Sequence, residues 1–149
     1  MVKIFFLSLL TITRVLNAIS QNESDAITGR WMSSENNLEV EIYKSGNLYN
    51  ARVIWIDGSN DKRRPMNVRC DIKNPNEALR RRKIIGLEVM YGLAYNADQK
   101  EWMNGKIYDP ESGREWNAKA WLNKEGYLKV RGYWGLEFIG KCLLFKKVS

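Results

Sequence analysis

The sequence predicts an all-β fold: about eight strands in antiparallel up-and-down order, closed into a barrel, with one long basic connection that contains a short helix. Three observations predict it. Apolar side chains alternate with polar ones in stretch after stretch, which is the period of a half-buried strand. Turn signals rich in Gly, Asn, Asp and Ser recur at short, regular intervals. A single segment, Asp57 to Lys83, is too long to be a tight turn. Composition agrees, since six Trp and seven Tyr against three Pro and eleven Gly in 149 residues suit one folded β-rich domain rather than a disordered chain.

The first twenty residues stand apart from this pattern. Met1-Val2-Lys3 is a short positive start, Ile4 to Thr13 is an apolar run interrupted afterwards by Arg14, and Ala18-Ile19-Ser20 supplies small residues. This is the layout of a signal peptide over residues 1–20, with cleavage after Ser20 or Ala18. The expectation is an exported protein, periplasmic or secreted, in which residues 21–28 form a short lead and residues 29–149 a single barrel domain. No apolar run reaches the length of a membrane-spanning helix, so the chain is expected not to span a membrane.

The strands follow in order. Leu38, Val40 and Ile42 alternate with Glu39 and Glu41, and the turn Lys44-Ser45-Gly46-Asn47 leads to a second strand with Tyr49, Ala51, Val53 and Trp55 on one face. After it comes the long connection, in which Asn74-Pro75-Asn76-Glu77 reads as a helix start with Asn74 as N-cap, Pro75 as first helical residue and the helix ending near Arg82. Ile85, Leu87 and Val89 resume the alternation. Trp102–Tyr108 and Arg114–Leu122 are paired strands around Asp109-Pro110-Glu111-Ser112-Gly113, a tight turn in which Asp109 accepts backbone N–H bonds and Gly113 takes a positive φ. Trp116, Ala118, Ala120 and Leu122 face inward. Past Asn123-Lys124-Glu125-Gly126, the residues Leu128, Val130, Gly132 and Trp134 line the inner face of the next strand, and Ile139 to Val148 is the last.

Residue types bound the chemistry. Histidine is absent, which removes the commonest general base and metal ligand and the Ser-His or Cys-His nucleophile pair. Cys70 and Cys142 are too far apart in sequence for metal-ligand spacing, and no metal or cofactor is expected. In an oxidising compartment the two are a candidate disulfide closing a long loop; two separate thiols on strand faces are the alternative. Without residues 1–20, the chain carries 22 Lys and Arg against 17 Asp and Glu. Asp57 to Lys83 alone holds nine basic and four acidic residues, and the remainder balances. Lys62, Arg63, Arg64, Arg80, Arg81, Arg82 and Lys83 therefore form the candidate basic patch, suited to an acidic glycan or lipid headgroup or, equally, to a solvated loop. Nucleic acid is not an expected partner for an exported chain.

Several stretches carry a resemblance: Gly29-Arg30-Trp31; Lys73-Asn74-Pro75 with Leu79-Arg80; Ile84-Ile85-Gly86-Leu87; Gly105 to Gly113; and Leu128 to Tyr133. In this order and spacing they resemble the bacterial family of uncharacterised exported proteins known as domain of unknown function 2147, over about Gly29 to Val148. The resemblance implies a lipocalin-like, calycin-type barrel in which the Gly29-x-Trp31 start plugs one end. Where the family tends to close with Trp-Thr-Arg this chain has Phe145-Lys146-Lys147, so Lys147 takes the place of an arginine stacked on the first Trp. The family has no established activity, and no catalytic residue carries over.

The leading functional expectation is a binding module that takes up a small hydrophobic or amphipathic ligand in the cell envelope, with Trp31, Tyr49, Trp55, Trp116, Leu128 and Trp134 as interior candidates. A narrow barrel filled by these side chains is the alternative. A structural or interaction protein holding an acidic envelope partner through residues 62–83 comes next. A carboxylate-based hydrolase using Asp109 or Glu111 with Tyr108 is the least favoured, because acids at a turn tip splay into water.

Overall fold

The computed structural model describes residues 23–59, 61–135 and 140–148; the expected signal peptide lies outside them. Eight strands succeed one another as β1 (Gly29–Ser33), β2 (Leu38–Ser45), β3 (Leu48–Ile56), β4 (Glu88–Asn96), β5 (Glu101–Asp109), β6 (Arg114–Leu122), β7 (Leu128–Tyr133) and β8 (Gly140–Lys147). Each pairs antiparallel with the next, and β8 returns to β1 to close the barrel. Closure leaves no edge strand to template aggregation. The up-and-down order sends the β2–β3, β4–β5 and β6–β7 turns to one end of the barrel. The long β3–β4 connection and the β1–β2, β5–β6 and β7–β8 connections gather at the other.

The first of these ends is plugged. Trp31, Tyr49, Leu93 and Trp102 are buried there together with Ile27, which comes from a 3₁₀ turn, Asp25–Ile27. Each aromatic with a polar handle finds a partner for it. The indole N–H of Trp31 donates to the Ile27 carbonyl at 2.8 Å and that of Trp102 to the Ser24 carbonyl at 3.0 Å. The Tyr49 hydroxyl donates to the Asp25 carboxylate at 2.6 Å. Lys147, opposite Trp31 in the β1–β8 ladder, holds its ammonium 5.2 Å from the Trp31 ring centroid. The cation expected beside the first Trp is in place, supplied by a lysine.

The β5–β6 hairpin turns where expected. The Asp109 carboxylate accepts from the Glu111 N–H at 2.9 Å and from the Ser112 hydroxyl at 2.6 Å, and Gly113 takes φ +71°. Two local expectations are corrected. The helix in the long connection is a single 3₁₀ turn, Glu77–Leu79, capped by Asn76, whose side chain accepts from the Ala78 N–H. The Asn74 side chain instead accepts from the Asn76 N–H at 2.8 Å, which holds the chain extended before the turn. In the second correction, β3 carries a bulge: Trp55 opposes Glu39 while Val53 opposes Val40, leaving Ile54 as the extra residue. The bulge breaks strict alternation, so Val53 and Ile56 face the interior and Trp55 does not.

Candidate functional site

The end opposite the plug opens into a cavity of about 1330 Å³. Its walls are the inward side chains of the strands: Val40 and Ile42 on β2, Ala51 and Val53 on β3, Met90 on β4, Ile107 on β5, Leu128 and Val130 on β7, and Leu143 and Phe145 on β8. The short residues among them explain the space. Ala51 contributes only a methyl group to the wall, and Gly132 adds no side chain at all. The barrel is hollow rather than filled.

The sequence candidates separate by height in the barrel. Trp116 and Leu128 line the cavity. Trp31 and Tyr49 are buried, at 1% exposure each, but belong to the plug beneath it. Trp55 is displaced by the bulge. Trp134 is 75% exposed, because the chain leaves the sheet after Tyr133 and turns at Gly135 with φ +71°. Its ring meets Trp116 edge-on at a centroid distance of 6.1 Å, so it borders the mouth rather than the interior.

The long connection is a strap. It leaves β3 at the mouth, where Asp57, Asp61, Arg64, Arg69 and Lys73 border the cavity, and then runs over the outside of β5. There Asp71, wholly buried, accepts from the Tyr108 hydroxyl at 2.6 Å, the Asn74 amide at 2.8 Å and the Arg82 guanidinium at 2.9 Å. Asn74 also donates to the Tyr108 hydroxyl at 3.1 Å. Burial, and next the Asp71 carboxylate beside it, push the Tyr108 hydroxyl above the usual phenol range. A further tie comes from Gly113, whose turn passes so close to the strap that a Cβ there would lie 2.1 Å from the Lys73 carbonyl oxygen. At its far end the strap rejoins the sheet through Gly86 N–H to the Val53 carbonyl at 2.7 Å and Val53 N–H to the Leu87 carbonyl at 2.9 Å. Two of the sequence stretches that carry the family resemblance, Lys73-Asn74-Pro75 and Gly105 to Gly113, thus meet as strap and seat. Neither shows by itself that Asp71 and Tyr108 would pair.

Three of the seven candidate basic residues are paired within the strap. Arg64 pairs with Asp61 at 2.7 Å, Arg80 with Glu77 at 3.3 Å, and Arg82 with Asp71 at 2.9 Å. Arg80 also donates to the Asn74 carbonyl at 2.8 Å. These three fasten the strap to itself, while Lys62, Arg63, Arg81 and Lys83 are exposed. Elsewhere opposite charges pair between strands: Arg30 with Glu39 at 2.7 Å, Arg52 with Glu41 at 2.6 Å and Lys119 with Glu101 at 3.2 Å.

Of the two alternatives for the cysteines, the structure has separate thiols: Cys70 and Cys142 are both free. Cys70 borders the cavity mouth in an isolated bridge with Lys83, whereas Cys142 is exposed on β8 opposite Arg131, on the outer wall. The barrel wall separates them. Asp109 and Glu111 border the mouth, but Asp109 is occupied by its own turn. Among the described residues no cluster of Cys, Asp and Glu is arranged to hold a metal ion.

Protein HP1028 from Helicobacter pylori, which is described as belonging to the lipocalin family, matches the fold with a TM-score of 0.69. The two share 20% identity, and the match covers 83% of each chain. No curated protein matches the sequence. The profile of the family described as "Uncharacterized protein conserved in bacteria (DUF2147)" matches residues 29–147, the whole of the barrel from β1 to β8. The chain belongs to that bacterial family, and its fold is a closed, eight-stranded, lipocalin-like barrel.

Proposed function

We propose that the protein is an exported binding module whose cavity takes up a small amphipathic molecule, apolar along most of its length with a polar or anionic head held at the mouth. The observation that carries this is the cavity itself: about 1330 Å³ walled by Val, Ile, Leu, Met and Phe and bordered at its opening by Arg69, Lys73 and Lys141. A ligand pocket commonly measures roughly 300–1,000 Å³, so a lipid-sized molecule has room. Burying an apolar chain against these walls releases roughly 25 cal/mol per Å² removed from water. Affinity is therefore apolar at depth, with selectivity set at the rim. The layout of the first twenty residues supports export, and the lipocalin-like fold is compatible with a small ligand.

Arg82, held by the buried Asp71 at 2.9 Å, fastens the strap, and the cations at the mouth suit the polar head of such a ligand. The test is mass spectrometry of the native protein, purified without detergent, and of its organic extract. A discrete co-purifying mass with an alkyl or similarly apolar body is expected. A clean apo mass, together with failure to bind any fluorescent fatty-acid analogue at micromolar concentration, would sink the proposal.

A further inference from the structure

We infer that the open end of the barrel docks on an anionic phospholipid bilayer, from which the cavity draws its ligand. The second clause rests on the function proposed above; docking itself stands on other observations. Val68 at 45% exposure and Ile72 at 57% project from the strap beside the cavity opening. Trp134 at 75% is the most exposed large apolar side chain among the described residues, and it stands against Trp116 at the same opening. These tips come from two separate connections yet surround one mouth.

Cations accompany them. Arg69, Lys73 and Lys141 line the opening, and Lys62 and Arg63 are exposed on the strap beside it. Four carboxylates, Asp57, Asp61, Asp109 and Glu111, stand at the same opening. Six cations oppose them once Lys62, Arg63 and Arg64 are counted with Arg69, Lys73 and Lys141, so the rim is net positive; Arg64 pairs with Asp61 at 2.7 Å. Lys and Arg around projecting Trp, Ile and Val match a surface of phosphate headgroups over hydrocarbon, where indole rings settle at the boundary and each cation gains from the anionic surface. A water-soluble acidic polymer would satisfy the cations and leave Ile72 and Trp134 in water. Val68 and Ile72 border the same opening as the apolar cavity wall, so a lipid-like ligand crossing from bilayer to barrel keeps apolar contact while its head passes the charged rim of Arg69, Lys73 and Lys141. At the opposite end Leu48 and Val148 are exposed at 41% and 50%, but the aromatics Trp31, Tyr49 and Trp102 are buried with their polar atoms satisfied internally.

The experiment is co-sedimentation with vesicles of phosphatidylcholine alone and of phosphatidylcholine with phosphatidylglycerol, at low and moderate salt. Binding is expected to the anionic vesicles and to be roughly tenfold or more weaker to the neutral ones, with a blue shift of Trp emission carried by Trp134 and absent in Trp134→Phe. Ile72→Asp combined with Trp134→Asp should weaken it by about tenfold or more, and Leu48→Asp, the same change at the plugged end, should not. Circular dichroism and melting temperature confirm that each variant keeps its fold. Because all are variants of one full-length chain, the apolar N-terminal residues contribute equally to each. No binding to anionic vesicles, or equal loss with Leu48→Asp, overturns the inference. So does binding to soluble polyglutamate that matches vesicle binding and ignores the mouth substitutions, which would point to an acidic polymer. Displacement of a fluorescent fatty acid in vesicle-free solution separates the two proposals: docking without uptake refutes the ligand, and uptake without docking refutes the surface.

Discussion

Asp25 shows how much one side chain organises at the plugged end. Its carboxylate accepts from the Lys44 ammonium at 2.8 Å and the Tyr49 hydroxyl at 2.6 Å, tying the lead segment to β2 and β3. The Lys44 hydrogen bond first, and that of Tyr49 next, hold the Asp25 carboxyl below its ordinary range. The folded state therefore binds this proton more weakly than the unfolded chain, whose Asp titrates near about 3.9. The contribution to stability is complete above that value and is lost as pH falls through the depressed folded-state value. In urea titrations the advantage of wild type over Asp25→Asn should be greatest near neutrality and shrink steadily on acidification below about pH 4. An advantage that stays constant down to strong acid would show that the charge of Asp25 contributes nothing. Legibility at this scale depended on distance. Lys147 beside Trp31 is what the family resemblance implies, with lysine in the place of the arginine. Asp71 was not foreseeable, because its burial depends on Tyr108 lying beneath it, thirty-seven positions away, and nothing local marks it.

Among the elements, the strap and the β5–β6 hairpin behave as one unit. The hairpin itself was readable, because Asp-Pro-x-x-Gly between alternating strands determines its turn through local chemistry. The strap was recognised only as a long basic segment, and the helix was placed two residues early because Asn74 and Asn76 carry the same local capping signal. The β3 bulge was also hidden: periodicity assigns Trp55 to the interior, and only pairing with β2 shows that Ile54 is the extra residue. Gly113 tests the union of the two elements. It combines φ +71° with an approach that leaves no room for a Cβ, 2.1 Å from the Lys73 carbonyl oxygen. Gly113→Ala is expected to cost about 1–3 kcal/mol, through strain in the left-handed region and displacement of the strap. Hydrogen exchange should then quicken around residues 71–74 and 108–113, while the plugged end keeps its protection. If protection is lost uniformly, the strap is not a separable unit.

At the scale of the whole molecule, stability and function meet in the cavity. The barrel was legible from the sequence because closure needs only alternating strands joined by short turns. Whether it was hollow was not, because that depends on which small residues reach the cavity wall from separate strands: Ala51 comes from β3 and Gly132 from β7. A dry or water-filled apolar space forgoes contacts that a packed core would make, so an apolar occupant stabilises the fold by binding it and not the unfolded chain. For one site at a hundredfold excess over Kd this linkage is worth about 2.7 kcal/mol. A barrel of this size should then melt about 8–12 °C higher with saturating ligand than without. Val53→Trp is designed to remove that increment. Val53 is buried in the cavity wall, and an indole projecting from it fills space the ligand would use without crowding a packed core. The variant should fold, bind a fluorescent fatty-acid analogue about tenfold or more weakly, and melt at nearly the same temperature with and without it. A wild-type melting temperature that does not respond to ligand would mean that the molecule binds elsewhere or not at all. An undiminished response in Val53→Trp would place the ligand outside the barrel, at the mouth or on the outer wall.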